Sequence, residues 1–350
     1  MLKWISKYLG WRHWAVLNYN AVFENLFVLF YIALINKRYD AAFVADAILL
    51  ILFSIFATTY GYLINDFSDR ELDRLHGKSN TFENDTQIQA LWAVGLILAL
   101  SVLASLPFWG HPYFLLWAGL WLLIATFYSL KPIRLKERGT WGIIFVVMAQ
   151  RVLPLLIIFA VFDFNRWPDG VLLVLYILFR GLSSDVNHQL SDYRNDLETG
   201  TSTFAVQKGY HKVQSLFYAS LHTERVLLLI ILLRLSWVLP IDRLSLKIFF
   251  FLLIAVYAVA FIVHYAKSMR DAQERQRNPF DPQKKDVVQF LHHAYPSVLL
   301  PVGLNLILAC EYFPYFWLLL IQIIVKRLYS IDIIKNNFLT RFILKMVKKP

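Results

Sequence analysis

The sequence predicts an all-α protein: a polytopic membrane helical bundle of nine transmembrane helices around a central cavity, or ten if a short C-terminal run also crosses. Hydrophobic residues make up 58% of the 350 positions and charged residues only 17%, whereas soluble domains are about half apolar and a quarter charged. Apolar runs recur at about the 20-residue length that a helix needs to cross the hydrocarbon core. These two observations exclude a soluble domain.

Nine apolar segments give the predicted spans, with ends defined to within a few residues. A tenth run, 315–325, is short and crosses only if it begins near Pro314 and continues past Lys326. The nine predicted spans are residues 22–35, 43–64, 88–106, 113–130, 141–162, 170–190, 216–239, 246–266 and 290–309.

The chain divides into three predicted parts. Residues 1–21 mix basic and aromatic side chains, which is typical of an interfacial segment and not of a cleavable signal peptide. Residues 22–310 hold the nine spans and form the predicted transmembrane domain, and 311–350 add an extra hydrophobic helix and a basic tail. The single cysteine, Cys310, excludes an intrachain disulfide and a thiolate metal cluster.

Basic residues are concentrated on one side of the predicted membrane. Loops 65–87, 131–140, 191–213 and 267–289 fall on that side and are rich in Lys and Arg, whereas the opposite loops hold few. The positive-inside rule therefore predicts that these four loops face the cytoplasm. Attraction to anionic lipid head groups accounts for the net charge of +11, so the predicted partner is the lipid bilayer and not nucleic acid.

Two acidic stretches follow apolar runs at matching membrane depth. Asp66, Asp69 and Asp73 are spaced i, i+3, i+7 and share one face if the segment is helical. Like charges placed in this way repel one another by a few tenths of a kcal/mol per pair, and a hard divalent cation with phosphate oxygens would compensate them. Asp192 and Asp196 form the second stretch. Together the two stretches predict one shared metal–diphosphate site; the alternative is a solvated acidic helix start, where Asp is favoured anyway.

An aromatic and basic stretch lies between the two acidic stretches, and the three together match the motifs of a known family. With this aromatic and basic stretch, 128–136, the chain resembles the UbiA superfamily of intramembrane prenyltransferases. The first family motif, N-D-x-x-D-x-x-x-D, is matched by Asn65, Asp66, Asp69 and Asp73. The second, D-x-x-x-D followed by Gly and Thr, is matched by Asp192, Asp196, Gly200 and Thr203.

The resemblance implies a cofactor, Mg²⁺, and roles for these residues. The residues expected to be catalytic are Asp66, Asp69, Asp192, Asp196 and Tyr128. Those expected to hold Mg²⁺ are Asp66, Asp69, Asp73, Asp192 and Asp196. Those expected to bind the diphosphate are Asn65, Lys78, Lys131 and Arg134, with Lys136 as a further basic candidate. For the basic residues the alternative is ordinary positive-inside anchoring, and for Tyr128 it is a place in the interfacial aromatic belt.

Ionisable residues inside the predicted spans are the other candidates, because such groups usually face a cavity or pair with one another. Asp185 and His188 continue the helical face of Asp192 and Asp196, and this face is expected to line the acceptor cavity. The alternative is a structural ion pair such as Arg180–Asp185, or a satisfied buried histidine. The candidates for the cavity are Asp185, His188, Arg151 and Arg180; Glu24, Asn25, Glu224 and Arg225 are similar but less clearly placed.

By resemblance, the expected function is transfer of a polyprenyl group from a prenyl diphosphate to an acceptor, often an aromatic ring. One departure leaves the acceptor open: residues 76–83 replace a basic R-P-containing loop of many aromatic-acceptor members, and only Lys78 is basic there. The alternatives are a UbiA-type terpene cyclase and phosphoribosyl transfer to a lipid phosphate. A cation-coupled transporter is disfavoured because transporter sites usually lie near the membrane midplane.

Overall fold

The computed structural model describes residues 2–18, 20–75, 77–281 and 286–332. Within these ranges regular structure is helical, apart from one isolated bridge between Gly139 and Thr203, so the all-α prediction is confirmed. Some predicted features lie outside the described residues, namely His76, Lys284, Lys285 and the basic tail from residue 333 onward.

Each of the ten predicted apolar runs lies on a helix. In chain order the helices are α1 Leu26–Ile35, α2 Ala41–Leu75, α3 Gln87–Ser105, α4 Phe114–Ser129, α5 Thr140–Val161, α6 Trp167–Glu198, α7 Tyr210–Val238, α8 Leu244–Arg270, α9 Val287–Glu311 and α10 Tyr315–Val325. Within the described residues six of them, α2, α3, α5, α7, α8 and α9, are long and apolar enough to cross a bilayer. Whether nine or ten helices cross stays a prediction.

Short helical pieces and local irregularities complete the fold. The first predicted span is interrupted at Asn25, which separates Ala21–Glu24 from α1. Helices α5 and α9 each contain a π-helical segment, Met148–Val152 and Phe290–Leu299, next to or containing a proline that cannot donate the regular backbone hydrogen bond. The other short helices are Leu2–Trp4, Ile5–Leu9, Trp11–Asn18, Leu106–Phe108, Leu135–Glu137, Phe204–Lys208 and Ala272–Arg275.

Two predicted loops are shorter than expected because their first residues continue the preceding helix. The predicted loop 65–87 begins only after Leu75, and the predicted loop 191–213 begins only after Glu198. The polar residues in these extensions include good helix formers and no Gly or Pro. Each helix ends just before a glycine with positive φ, Gly77 at +62° and Gly200 at +67°, a conformation that glycine adopts without strain.

The chain divides into two compact units. The first contains the described residues up to Phe23 together with Asp46–Ser220, and the second contains Glu24–Ala45 and the described residues from Leu221 onward. The domain predicted over 22–310 therefore includes parts of both units, and its limits stay a prediction.

In the first unit, a hydrophobic cluster fixes the loop that follows α2. Phe82 is fully buried in it, beside Tyr8 from the N-terminal segment. Residues of α2 and α3 complete the cluster, among them Tyr60, Leu63 and Ile97. The loop is therefore packed against the helices and not left in solvent. The start of α3 is fixed separately by a capping box between Thr86 and Gln89.

In the second unit, α1 is buried on all sides. All ten of its residues are buried, which is typical of a helix that is hydrophobic around its whole circumference. It packs against α9, and α9 packs against α10. The Tyr315 hydroxyl at the start of α10 donates to the Arg38 carbonyl (2.5 Å), so the tenth helix is an integral part of this unit.

Large apolar side chains also remain exposed along several helices. A soluble protein rarely exposes contiguous patches of this kind, whereas a lipid bilayer covers them. Examples are Leu91, Trp92 and Leu96 on α3, Leu115, Leu116 and Leu123 on α4, and Phe251, Leu252 and Ile262 on α8. With the six long apolar helices, this makes the chain an integral multi-pass membrane protein.

Candidate active site

The first acidic stretch lies on the last turns of α2 and not in a loop. Asp66, Asp69 and Asp73 therefore share one helical face, as their spacing predicts. Asp66 and Asp69 are buried, with 1% and 8% of each residue exposed. A buried carboxylate is costly unless cations or hydrogen-bond donors satisfy it, so the neighbours of these two side chains define the site.

Asp69 is held by the basic stretch that follows α4. Arg134 Nη2 donates to Asp69 Oδ1 (3.1 Å), and Lys136 Nζ donates to Asp69 Oδ2. Arg134 also donates through Nε to Glu137 (2.5 Å). Burial lowers the pKa of Lys136, and the charge of Asp69 opposes this effect. Arg134 is thus part of a buried ionic cluster, whereas Lys131 is exposed to solvent.

Polar contacts also tie α2 to the end of α4. Ser129 Oγ donates to Asn65 Oδ1 (2.6 Å), and Ser68 Oγ donates to the Ser129 carbonyl (2.6 Å). Lys136 Nζ is a second donor to Asn65 Oδ1 (3.3 Å). Because the amide oxygen of Asn65 faces these donors, its amide nitrogen is the group available to a phosphate oxygen.

The loop after α2 folds back onto the acidic stretch. Asn80 Nδ2 donates to Asp73 Oδ2 (2.7 Å) and to the Asp66 carbonyl (2.8 Å). Thr81 Oγ1 donates to Asp66 Oδ2 (2.6 Å). This is the segment where the sequence lacks the expected basic residues, and neutral donors occupy it instead. In the sequence, only their position in a polar loop distinguishes Asn80 and Thr81.

The second acidic stretch lies on the last turns of α6. Thr203 Oγ1 donates to Asp196 Oδ2 (3.0 Å), and Gln189 Oε1 accepts from the Ala205 backbone nitrogen (3.1 Å). His188 Nε2 lies 3.6 Å from Asp192 Oδ2, with 78% and 47% of these two side chains exposed. The second stretch is therefore more open to solvent than the first.

The two helix ends share one local structure. The backbone nitrogen of Lys78 donates to the Asp73 carbonyl (2.9 Å), and that of Thr201 donates to the Asp196 carbonyl (2.9 Å). These bonds close the same six-residue turn around Gly77 and Gly200. The two helix ends can be aligned by adding 123 to each residue number of the first. This shift places Asp73 on Asp196 and Gly77 on Gly200.

Side chains at equivalent positions of the two ends make equivalent contacts. The last aspartate of each helix accepts from the residue three positions after the glycine, which is Asn80 in one case and Thr203 in the other. At the position of Asp66, the second end has Gln189; Asp66 accepts from Thr81 in the following loop, and Gln189 accepts from Ala205 in the following short helix. The two helix ends therefore resemble each other in their side-chain contacts as well as in their backbone.

Several contacts connect the two acidic stretches and the basic stretch. Gly139, just after the basic stretch, forms the isolated parallel bridge with Thr203. Tyr128, partly buried at the end of α4, lies within electrostatic range of both Asp69 and Asp185. Lys78 lies within electrostatic range of Asp196. The first unit thus brings the three sequence motifs to one region.

The residues predicted to line the cavity differ in their burial and in the charges near them. Asp185 lies within electrostatic range of Arg151 and His188, and its buried Oδ2 atom has no hydrogen-bond partner in the part of the chain that the structure describes. Arg180 is buried with 5% of the residue exposed. The charge that acts most strongly on Asp185 is that of Arg151, and the alternative Arg180–Asp185 ion pair stays a prediction.

The carboxylates fit a hard divalent cation by chemistry but do not form a complete cage. Among the described residues, no three His, Cys, Asp or Glu side chains lie close enough to hold a metal ion by themselves. Buried Asp66 and more exposed Asp192 offer the oxygen ligands that Mg²⁺ prefers, and Mg²⁺ usually completes its coordination with waters and substrate phosphates. The residues present therefore fit an ion that arrives together with a phosphorylated substrate.

An all-helical membrane protein with two acidic helix ends beside a basic stretch has the features expected of an intramembrane enzyme that acts on a phosphorylated lipid. The model of the UbiA prenyltransferase family matches residues 26–291. The chain belongs to this family, so the resemblance predicted from the motifs is confirmed.

Solved structures support the same fold. A UbiA homologue from Archaeoglobus fulgidus bound to GPP and Mg²⁺ is 17% identical, with a TM-score of 0.55 over 88% of this chain and 99% of that one. A structure of digeranylgeranylglyceryl phosphate synthase is 16% identical, with a TM-score of 0.53 over 87% and 98% of the two chains. A UbiA homologue from Aeropyrum pernix K1 is 16% identical, with a TM-score of 0.54 over 82% and 97%. No curated protein matches the sequence.

Proposed function

We propose that the protein is a Mg²⁺-dependent intramembrane prenyltransferase that cleaves a prenyl diphosphate and passes the prenyl group to a hydrophobic acceptor. The observation that carries the proposal is the pair of equivalent acidic helix ends in one unit, with Arg134 and Lys136 beside the first and Lys78 within electrostatic range of the second. Solved homologues bound to GPP or DMAPP together with Mg²⁺ support the choice of substrate and cofactor.

The proposed roles follow from where charge develops. Breaking the bond between the prenyl carbon and the diphosphate oxygen leaves an allylic cation and additional charge on the diphosphate, and stabilising that charge is the main catalytic task. Asp66, Asp69 and Asp73 at one end and Asp192 and Asp196 at the other would hold Mg²⁺, which would neutralise this charge when bound. Asn65 offers its amide nitrogen, and Lys78, Lys131 and Arg134 offer positive charge, to the diphosphate oxygens.

Tyr128 and the α6 face are proposed to serve the organic part of the reaction. Tyr128 lies within range of both acidic helices, where its ring can stabilise the cation and its hydroxyl can donate to the diphosphate. Asp185, with Arg151 and His188 nearby, is the polar group proposed to orient the acceptor. An aromatic acceptor that must lose a proton suits such a carboxylate.

The direct test measures diphosphate release by purified protein in detergent from a labelled prenyl diphosphate. EDTA is expected to stop the release and added Mg²⁺ to restore it. Asp66→Ala and Asp192→Ala are each expected to lower the rate by at least about 10²-fold. Asp242→Ala, an exposed aspartate outside the site, serves as the matched control. Full activity in either site variant, or indifference to EDTA, would reject the metal assignment.

Product analysis in the same assay separates transfer from cyclisation. With candidate aromatic acceptors present, a transferase yields a prenylated acceptor and consumes the two substrates in equal amounts. A terpene cyclase yields the same hydrocarbon product whether or not an acceptor is added. The second outcome would keep the metal site but replace the proposed acceptor chemistry.

The proposed orientation puts the acidic helix ends on the cytoplasmic side, as the distribution of basic residues favours. The single cysteine provides a test, because Cys310 is exposed at the far end of α9. A membrane-impermeant thiol reagent is expected to label Cys310 from outside intact cells. Labelling only after the cells are opened would contradict this orientation.

A further inference from the structure

A second group of buried polar side chains lies in the second unit, apart from the proposed reaction site. It is built on Arg225 of α7 and on His264 and Ser268 of α8, with 4%, 3% and 5% of each residue exposed. His264 and Ser268 are four residues apart, so they share one face of α8. Charged and polar residues that are buried within a membrane protein usually mark a functional site.

The hydrogen bonds of Arg225 leave most of its guanidinium group unsatisfied. Nη1 is 2.9 Å from His264 Nε2, while Nε and Nη2 are buried and have no hydrogen-bond partner among the described residues. The phenol of Tyr265 interacts with the guanidinium group and is also hydrogen-bonded to His222 Nδ1 (2.5 Å). The opposite charge that acts most strongly on Arg225 is the carboxylate of Glu224.

The same contact determines the tautomer of His264. A guanidinium nitrogen can only donate, so Nε2 must accept and the ring proton of neutral His264 is on Nδ1. This Nδ1–H group is also buried without a partner, as is the hydroxyl of Ser268. The cluster therefore presents unsatisfied donors on Arg225 and His264, together with a hydroxyl that can also donate.

The neighbouring carboxylates are bound to other groups. Glu224 Oε1 is hydrogen-bonded to His292 Nδ1. Asp286, which lies within electrostatic range of His264, accepts from Arg277 (2.5 Å) and from the backbone at the start of α9. Neither carboxylate accepts a hydrogen bond from Arg225, so among the described residues Arg225 Nε and Nη2 and His264 Nδ1 have no acceptor.

Buried donors without acceptors call for an acceptor-only ligand, and a guanidinium group binds oxyanions in particular. We propose that Arg225, His264 and Ser268 form a binding site for a phosphate group, carried by an anionic lipid or present as free phosphate. The site is separate from the proposed prenyl transfer and does not depend on it.

The test measures ligand-dependent thermal stabilisation of delipidated full-length protein in detergent, since a ligand that binds only the folded state raises its stability. The probes are inorganic phosphate, dioctanoyl phosphatidic acid and dioctanoyl phosphatidylcholine. Stabilisation by phosphatidic acid alone supports the proposal with a lipid as the source. Stabilisation by inorganic phosphate as well supports it with a source in solution. No stabilisation by either, or an equal effect of phosphatidylcholine, overturns it.

Variants assign the binding to these side chains. Ser268→Ala is expected to weaken the apparent affinity about 3- to 10-fold, and Arg225→Gln about 100-fold. Ser236→Ala, which removes a hydroxyl bonded to the Leu233 carbonyl, is the matched control and should bind as the wild type does. If Arg225→Gln does not fold, Ser268→Ala decides alone. Wild-type affinity in Ser268→Ala, or in a folded Arg225→Gln, overturns the proposal. Asp66→Ala should bind phosphate normally, which separates this site from the proposed reaction site.

Discussion

The two acidic helix ends have the same local structure but different surroundings. In both, an aspartate, a glycine with positive φ and a polar residue three positions further on close the helix in the same way. Asp69 at the first end is buried and bonded to Arg134 and Lys136, whereas its equivalent Asp192 is 47% exposed beside His188. The local sequence thus determines the helix end, and the neighbouring basic stretch determines its charge environment.

This difference in burial suggests that the two helix ends have different roles. A buried carboxylate with two cationic partners has a fixed position and contributes to stability as well as to chemistry. An exposed carboxylate can move to meet an incoming ion without loss of structure. The proposed reaction needs carboxylates in fixed positions and a way for the diphosphate to enter and leave. If that reaction takes place, the first end would provide the fixed frame and the second end would receive the substrate.

The largest expected effect comes from removing the charge of the two equivalent aspartates. Asp69→Asn leaves Arg134 and Lys136 buried without their anion and is expected to lower the free energy of unfolding by about 3 kcal/mol. Asp192→Asn, at the exposed position, is expected to change it by less than about 0.5 kcal/mol. Both variants should lose diphosphate release. Chemical unfolding in detergent measures the first quantity.

The informative result is that the two variants should differ in stability although both lose activity. Equal destabilisation by the two variants would mean that the second end is also part of the folded frame. A stable Asp69→Asn protein would show that Arg134 and Lys136 find other partners, and the frame would then have to be placed elsewhere.

A smaller effect is expected at the polar residues that close the two ends. Asn80→Ala removes the donor to Asp73 and to the Asp66 carbonyl and is expected to cost about 2 kcal/mol of stability. Thr203→Ala removes the donor to Asp196 and the N-cap of the next short helix, and should cost about 1 kcal/mol. Thermal unfolding measures both losses of stability. A larger loss for Thr203→Ala than for Asn80→Ala would mean that the second helix end, and not the first, is the fixed one.

The sequence predicted the ten helices and the acidic face because both depend on local patterns. Apolar runs of sufficient length require helices in a bilayer, and the i, i+3, i+7 spacing places three aspartates together wherever the helix continues. Hydropathy alone put the ends of α2 and α6 too early, because a helix can leave the apolar region and continue through polar residues such as Arg70 and Arg74.

Contacts between distant parts of the chain were not predictable in the same way. Ser129 binds Asn65 across 64 positions, and nothing in its surroundings separates it from other serines at helix ends. Arg225 was one of several polar residues in spans, and only its missing partners set it apart. The equivalence of the helix ends needed the backbone, since few positions are shared in sequence: two aspartates, one glycine and two serines.

The smallest expected effect concerns Lys78, the one basic residue of the loop after α2. It is exposed and lies within electrostatic range of Asp196, so it links the loop of the first end to the carboxylate of the second. Lys78→Met is expected to raise the KM for the prenyl diphosphate about 2- to 5-fold, as an exposed charge pair allows, with kcat unchanged. The increase should shrink as salt is added, because exposed charges are screened. Lys267→Met, an exposed lysine at the end of α8, is the matched control. Equal KM values for Lys78→Met and the wild type at low salt would mean that the diphosphate does not pass near this loop. The proposed role of the second helix end in receiving the substrate would then depend on Asp192 and Asp196 alone.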